Sequence, residues 1–105
     1  MEEEMDLDLI VMELITHAGN ARSLAIEAIR CARSGDFAQA DEKLKECEDE
    51  MVEAHHVQTD LLVSETTGHP VTVTLLLVHA QDHLMNAMTV KDLAKELIET
   101  MKAKN

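Results

Sequence analysis

Three ionisable side chains, His79, Asp82 and His83, form the part of this 105-residue sequence best suited to chemistry. In a helix, residues three and four positions apart lie on one face, so these side chains would be neighbours. They follow directly on the apolar residues 75–78 (LLLV). Because polar groups in apolar surroundings cost free energy unless they are paired, we expect each of the three to have a partner or a chemical use.

Two kinds of chemistry fit this cluster. The first is a helical metal-binding protein, in which two histidines four residues apart and a carboxylate bind a transition metal, although HAQDH lacks the glutamate of the metalloprotease motif HExxH. The second is phosphoryl transfer, in which one neutral imidazole attacks phosphorus and the other donates a hydrogen bond to the phosphoryl oxygens. Transfer of this kind needs positioning and charge stabilisation but no nucleotide-binding fold. The residues alone leave both open, together with a structural bundle that has neither chemistry.

The composition predicts that helices position this cluster. The chain is 46% hydrophobic, yet it contains one aromatic residue, Phe37, with 3 glycines and 1 proline. Alanine, leucine and methionine favour helices, whereas strands are enriched in aromatic and β-branched residues and need frequent turns. This length suffices for one domain and not for two, so we expect a single domain over residues 1–105.

Turn signals divide the chain into three helical segments. Residues 34–36 (SGD) provide a glycine that ends one helix, and Asp36 caps the next. Residues 66–70 (TTGHP) place Pro70 at the first position of the third helix. Residues 71–74 (VTVT) alternate as a strand would, but a lone strand would have no partner, so we expect them to be helical. The predicted helices cover residues 6–33, 36–65 and 70–103.

The apolar pattern predicts how these helices pack. Apolar residues recur at alternating spacings of three and four, which is typical of helices that bury one stripe. The predicted stripe of the first helix consists of Leu7, Val11, Leu14, Ala18, Ala21, Ala25, Ala28 and Ala32, and that of the third includes Val73, Ala80, His83, Ala87, Ala94 and Leu97. Short connections make consecutive helices antiparallel, so we expect an all-α, up-down-up three-helix bundle. Residues 75–78 are apolar on every side, which is typical of a helix with more than one neighbour. The additional neighbour is expected to be another copy of the chain in a closed symmetric oligomer.

Charge and cysteine content exclude several classes of function. With 21 acidic and 9 basic residues the formal charge is −12, which disfavours nucleic acids and anionic membrane surfaces as partners. Cys31 and Cys47 have no CxxC spacing and are expected to be reduced thiols in a cytoplasmic protein. The acidic residues 2–4 are unlike the basic start of a secretory signal, and no apolar run is long enough to span a bilayer.

Residues 78–85 (VHAQDHLM) resemble a known active-site signature. It is that of the IIA component of the lactose/cellobiose-type phosphoenolpyruvate-dependent sugar phosphotransferase system. Ala80 and residues 85–88 (MNAM) are more similar to the cellobiose, chitobiose or β-glucoside branch than to the lactose branch. The resemblance covers nearly the whole chain and continues in residues 19–23 (GNARS), 35–40 (GDFAQA) and 53–59 (EAHHVQT).

The resemblance implies a homotrimeric cytoplasmic phosphocarrier with no direct membrane contact. During uptake of a β-linked disaccharide, phosphoryl would pass from the histidine phosphocarrier protein HPr to this chain and then to a cysteine of the IIB component. Matched onto the motif, His79 is the phosphorylated nucleophile, His83 the supporting imidazole, and Gln81 a neighbour at the active-site cleft. Asp82 matches an aspartate whose three copies meet at the trimer axis around a divalent metal ion, expected to be Mg²⁺.

Overall fold

Three α-helices make up nearly all of the chain. The computed structural model describes the backbone of residues 2–104 and the side chains of residues 7–104. The helices are α1 (Glu2–Arg33), α2 (Phe37–Thr66) and α3 (Leu75–Ala103), and no strand occurs within residues 2–104. Over this described part, no helix has the length and apolar character needed to cross a membrane. The predicted all-α class and the three-helix bundle are confirmed.

Consecutive helices run antiparallel in an elongated bundle of 55 × 21 × 20 Å. Side-chain contacts show this order, because positions that advance along one helix meet positions that go back along its neighbour. The pairs are Glu27–Lys43 and His17–Glu50 between α1 and α2, and Asp41–Lys102 and Glu48–Lys95 between α2 and α3. The up-down-up order is therefore confirmed. Helix α1 packs extensively against both others, whereas α2 and α3 share a smaller contact.

The central place of α1 follows from the small residues on its buried face. Alanine has no side chain beyond Cβ, so two neighbouring helices can approach α1 closely along this stripe. The stripe predicted for α1 is confirmed, and its fully or almost fully buried members are Val11, Leu14, Ala18, Ala21, Ala25, Ala28 and Ala32.

The buried face of α3 contains the predicted Ala80, Ala87 and Ala94, each 0% exposed, but its large apolar residues differ from the predicted ones. Val73 and Leu97, which were expected in the stripe, are 71% and 46% exposed, and His83 is only half-buried. Leu84 and Ile98 take their place in the core, each 1% exposed. A strict 3.5-residue repeat drifts relative to a straight helix of 3.6 residues per turn, so the stripe read from the sequence does not follow one face. Which face of α3 packs then depends on the large apolar residues Leu84 and Ile98, which flank the buried alanines.

The start of α3 also differs from the prediction. Residues 70–74, including Pro70 at the expected first position, are not helical, and α3 begins at Leu75. Thr74 is the N-cap with an extended backbone, and its hydroxyl oxygen accepts a hydrogen bond from the Leu77 N–H at 3.1 Å. The β-branched residues before Leu75 favour extended backbone. The Thr74 hydroxyl accepts a hydrogen bond from a free amide in the first turn of α3, whereas a proline side chain has no acceptor atom. His79 therefore lies at the start of the second helical turn.

The predicted turn chemistry is confirmed at the first connection, and at the second a glycine follows α2 although Pro70 does not begin α3. Gly35 and Gly68 have φ values of +86° and +89°, in the left-handed region that favours glycine. The Asp36 carboxylate accepts a hydrogen bond from the Gln39 N–H at 3.1 Å and so caps α2. These short connections fix the antiparallel packing of the helices.

Both cysteines are free thiols. Cys47 is buried between the helices, and this burial raises the pKa of its thiol above the usual value. Cys31 on α1 is half-buried. Because the thiolate is the reactive form of cysteine, the Cys47 side chain acts as a packed apolar residue.

Candidate active site

His79 and His83 contact each other on the surface of the bundle. Their Nε2 atoms lie 3.1 Å apart, and their ring centroids are 4.6 Å apart with the ring planes at 87°. The His79 side chain is exposed and that of His83 is half-buried. This contact is a hydrogen bond when one Nε2 carries a proton and the other presents its lone pair. The structure thus brings together the two imidazoles singled out by their spacing.

Helix α3 places these imidazoles at the flank of its packed face. Ala80 and Leu84, which directly follow the two histidines, are 0% and 1% exposed and pack in the core. Each histidine is one residue, about 100° of helical rotation, away from a buried anchor. The His83 ring is therefore half-buried at the side of the bundle, whereas the His79 ring is exposed.

A groove of about 300 Å³ adjoins His83 between α1 and α3. Its lining includes the predicted site residue Asp82 together with Arg22 from α1 and Asn86 from α3, neither of which was predicted as a site residue. The position of Asn86, seven residues after His79, would have placed it on the histidine face. No local pattern could have identified Arg22, since it reaches the groove from another helix. Guanidinium and amide groups here provide hydrogen-bond donors beside the His83 imidazole.

Asp82 is exposed and lies within an apolar stripe on the surface of α3. Leu75, Val78 and Met85 are 85%, 52% and 56% exposed. With Asp82 they follow spacings of three, four and three, which places all four on one helix face. Contiguous exposed apolar surface marks interaction sites in soluble proteins. An apolar face on α3 beyond the one packed in the bundle is therefore present, and the oligomer expected to cover it stays a prediction.

The described side chains of one chain do not form a metal site. Among the side chains of residues 7–104, no group of three or more histidine, cysteine, aspartate or glutamate residues is arranged to hold a metal ion. His79, Asp82 and His83 of one chain therefore lack the arrangement that the metal-binding alternative requires. Any ion at Asp82 would need ligands from other copies of the chain.

Gln81 lies on the side of α3 away from the histidines and pairs with Gln58 of α2. Gln58 Nε2 donates to Gln81 Oε1 at 2.8 Å, and Gln81 Nε2 donates in return to Gln58 Oε1. Both side chains are half-buried. Two residues along a helix correspond to about 200° of rotation, which explains why Gln81 and His79 point apart. The predicted place of Gln81 at the active-site cleft stays a prediction.

The fold and this site define a small all-α domain, which presents one exposed imidazole in contact with a second. The family model described as "PTS system, Lactose/Cellobiose specific IIA subunit" matches residues 9–102. The chain belongs to this family and is therefore a phosphocarrier component of a sugar phosphotransferase system.

Known relatives resemble the chain over almost its whole length. The lichenan-specific phosphotransferase enzyme IIA component of Bacillus subtilis is 54% identical over 99 residues, which are 94% of this chain and 88% of the relative. The crystal structure of the cellobiose-specific enzyme IIA from Bacillus anthracis is 48% identical with a TM-score of 0.88, covering 90% of this chain and 87% of that one. The Escherichia coli IIA(Chitobiose) protein, solved in complex with HPr, is 42% identical with a TM-score of 0.80, covering 92% and 94%.

Proposed function

We propose that the chain accepts a phosphoryl group from phospho-HPr on His79 and passes it to a cysteine of a IIB component. The observation that carries this proposal is the 3.1 Å contact between Nε2 of the exposed His79 and Nε2 of His83. It provides a nucleophile that a protein partner can reach and a neighbouring donor for the phosphoryl oxygens. The HPr complex of the E. coli relative supports HPr as the donor. Because its partners work on the inner side of the membrane, we place the chain in the cytoplasm.

The proposed transfer exchanges one nitrogen–phosphorus bond for another. The neutral His79 imidazole attacks phosphorus in line, the bond to the HPr histidine breaks, and that histidine leaves as a neutral imidazole, so no ATP is consumed. The Nε2–H of His83 turns from the His79 lone pair to a phosphoryl oxygen. In the second step a IIB thiolate attacks phosphorus and His79 regains its lone pair.

Intact-protein mass spectrometry tests the first transfer directly. The chain is incubated with phosphoenolpyruvate, enzyme I and HPr, and spectra are recorded at alkaline pH because phosphohistidine is labile in acid. We expect one added phosphoryl group, and none when HPr is omitted. An unmodified chain beside visibly phosphorylated HPr would contradict the proposal.

We further infer that the carrier serves uptake of a β-linked disaccharide of the cellobiose or chitobiose type rather than lactose. Ala80 and residues 85–88 support this branch, as do the lichenan, cellobiose and chitobiose specificities in the names of the relatives. A IIA component contacts proteins and not the sugar, so the IIB component is the appropriate probe. The phosphorylated chain should transfer its phosphoryl group faster to a cellobiose-type IIB component than to a lactose-type one. Faster transfer to the lactose-type component would contradict this inference.

The apolar stripe of α3 supports a homotrimer around a metal ion. Three copies of Leu75, Val78 and Met85 would cover one another at a three-fold axis. Because Asp82 lies within the stripe, three carboxylates would meet there and repel one another. Carboxylate oxygens are the ligands that hard divalent cations prefer, so the donor set suits Mg²⁺. An ion bound there would offset the repulsion and so support assembly.

Replacing Asp82 with leucine is expected to keep the trimer or strengthen it, because a packed apolar cluster replaces buried carboxylates. Sedimentation equilibrium, with and without a chelator, measures this effect. The chelator should weaken trimer association of the wild-type protein, whereas association of D82L should not change. Asp92→Leu on the same helix is the control, since Asp92 is an exposed partner of Lys91, and it should behave like wild type. Dissociation of D82L into monomers would contradict the proposed axis.

A further inference from the structure

The amide pair between Gln58 and Gln81 is the direct polar link between α2 and the active-site part of α3. Two reciprocal hydrogen bonds join the side chains across 23 residues of sequence. Among the described side chains, the other polar links between these helices, at Lys95 and Lys102, lie at the far end of α3. Among the described side chains, this pair is therefore the only directional contact to α2 in the half of α3 that carries both histidines.

Directional contacts matter here because apolar packing alone restrains this turn weakly in rotation. The fully buried anchors of this turn are Ala80, which is small, and Leu84, and the partly buried Leu76 and Leu77 pack against the core before them. Hydrophobic contact is non-directional, so it favours burial of this face without fixing the angle of α3 about its own axis. The helix also begins only at Leu75, so His79 has little helix before it. A pair of amide hydrogen bonds at Gln81 fixes both the angle and the distance to α2.

We infer that Gln58 is a positioning residue for His79, an inference that rests on the proposed phosphocarrier function. The Gln58 amide holds Gln81, and Gln81 lies two residues from each histidine, so the rotation of this turn sets where both imidazoles point. Gln58 acts through the α3 backbone and does not contact the phosphoryl group. Its amide is suited to this position because it both donates and accepts, whereas a carboxylate would only accept.

Replacing Gln58 with methionine tests this inference, because methionine keeps the length of the side chain without its hydrogen bonds. We expect kcat for phosphoryl acceptance from phospho-HPr to fall about tenfold with KM unchanged, since the nucleophile is displaced while the docking surface remains. The ¹⁵N imidazole resonances of His79 and His83 should shift as their contact changes. A folded Q58M protein with the wild-type kcat and unshifted resonances would overturn the inference.

Three further variants separate positioning from other roles. Gln81→Met should lower kcat as much as Q58M does. The double variant should have a kcat no lower than either single variant, because both residues act through one pair. The double variant also replaces both amides by apolar groups, which protects the fold. Gln39→Met, at the other end of α2, is the control and should leave kcat and the resonances unchanged. A Q81M rate well below that of Q58M would assign Gln81 a direct role and overturn the shared one.

The wild-type protein keeps this test independent of the proposed function. If wild type accepts phosphoryl and Q58M does so equally well, the positioning role fails and the phosphocarrier function stands. If wild type accepts none from phosphorylated HPr, the phosphocarrier function fails. The kinetic part of the inference then fails with it, and the imidazole resonances report only whether Gln58 orients the histidines.

Discussion

Replacing His79 with alanine is expected to abolish phosphoryl acceptance from HPr while leaving the helical bundle folded. The variant removes the nitrogen that forms the bond to phosphorus, and no neighbouring group can take over its position. Because the His79 side chain is exposed, alanine leaves no cavity in the core. Intact mass spectrometry at alkaline pH should show the unmodified mass, and the thermal unfolding midpoint should stay close to that of wild type.

Two other histidine variants show whether the assigned roles are right. His83→Ala should still accept one phosphoryl group, but about 10²–10³-fold more slowly, which is the usual cost of removing one donor that stabilises developing charge. His56→Ala, an exposed histidine on α2, serves as the matched control and should react like wild type. Acceptance by H79A together with none by H83A would make His83 the nucleophile and reverse the two roles.

Local signals in the sequence predicted most of the fold. Helix α1 matches its predicted stripe because its seven buried residues, mostly alanines, all lie on one helix face. The first residue of α3 could not be obtained in this way. Residues 71–74 admitted both a helix and an extended segment on propensity, and the Thr74 cap decided between them. A cap depends on the geometry of a single residue, which periodicity does not describe.

The candidate site could likewise be predicted only in part, namely where its contacts lie within one helix. His79 and His83 could be paired from the sequence because their contact lies within one helix, four residues apart. Gln58 and Gln81 could not be paired, because their contact depends on how α2 and α3 are rotated against each other. The role expected of Asp82 depends on further copies of the chain, which no single-chain pattern contains. Sequence thus indicates the reacting group more readily than the residues that orient it.

Replacing Leu84 with alanine is expected to destabilise the bundle by about 2–5 kcal/mol, the largest stability effect that we predict. Leu84 is 1% exposed, so its removal combines lost apolar burial with a cavity between α3 and the core. Urea unfolding followed by circular dichroism measures the loss. The change should appear in the midpoint, with the slope close to that of wild type.

Leu97→Ala is the decisive control for Leu84→Ala, because it makes the same substitution in the same helix. The 3.5-residue repeat placed Leu97 in the core, whereas the structure leaves it 46% exposed and buries Ile98 instead. Its loss should therefore cost well under half as much as that of Leu84 at one protein concentration. Repeating the unfolding at tenfold dilution isolates any contribution from contacts between chains, which alone depends on concentration. A larger, concentration-independent loss in L97A than in L84A would show that α3 packs with the face the repeat predicted, and the imidazoles would then be turned with it.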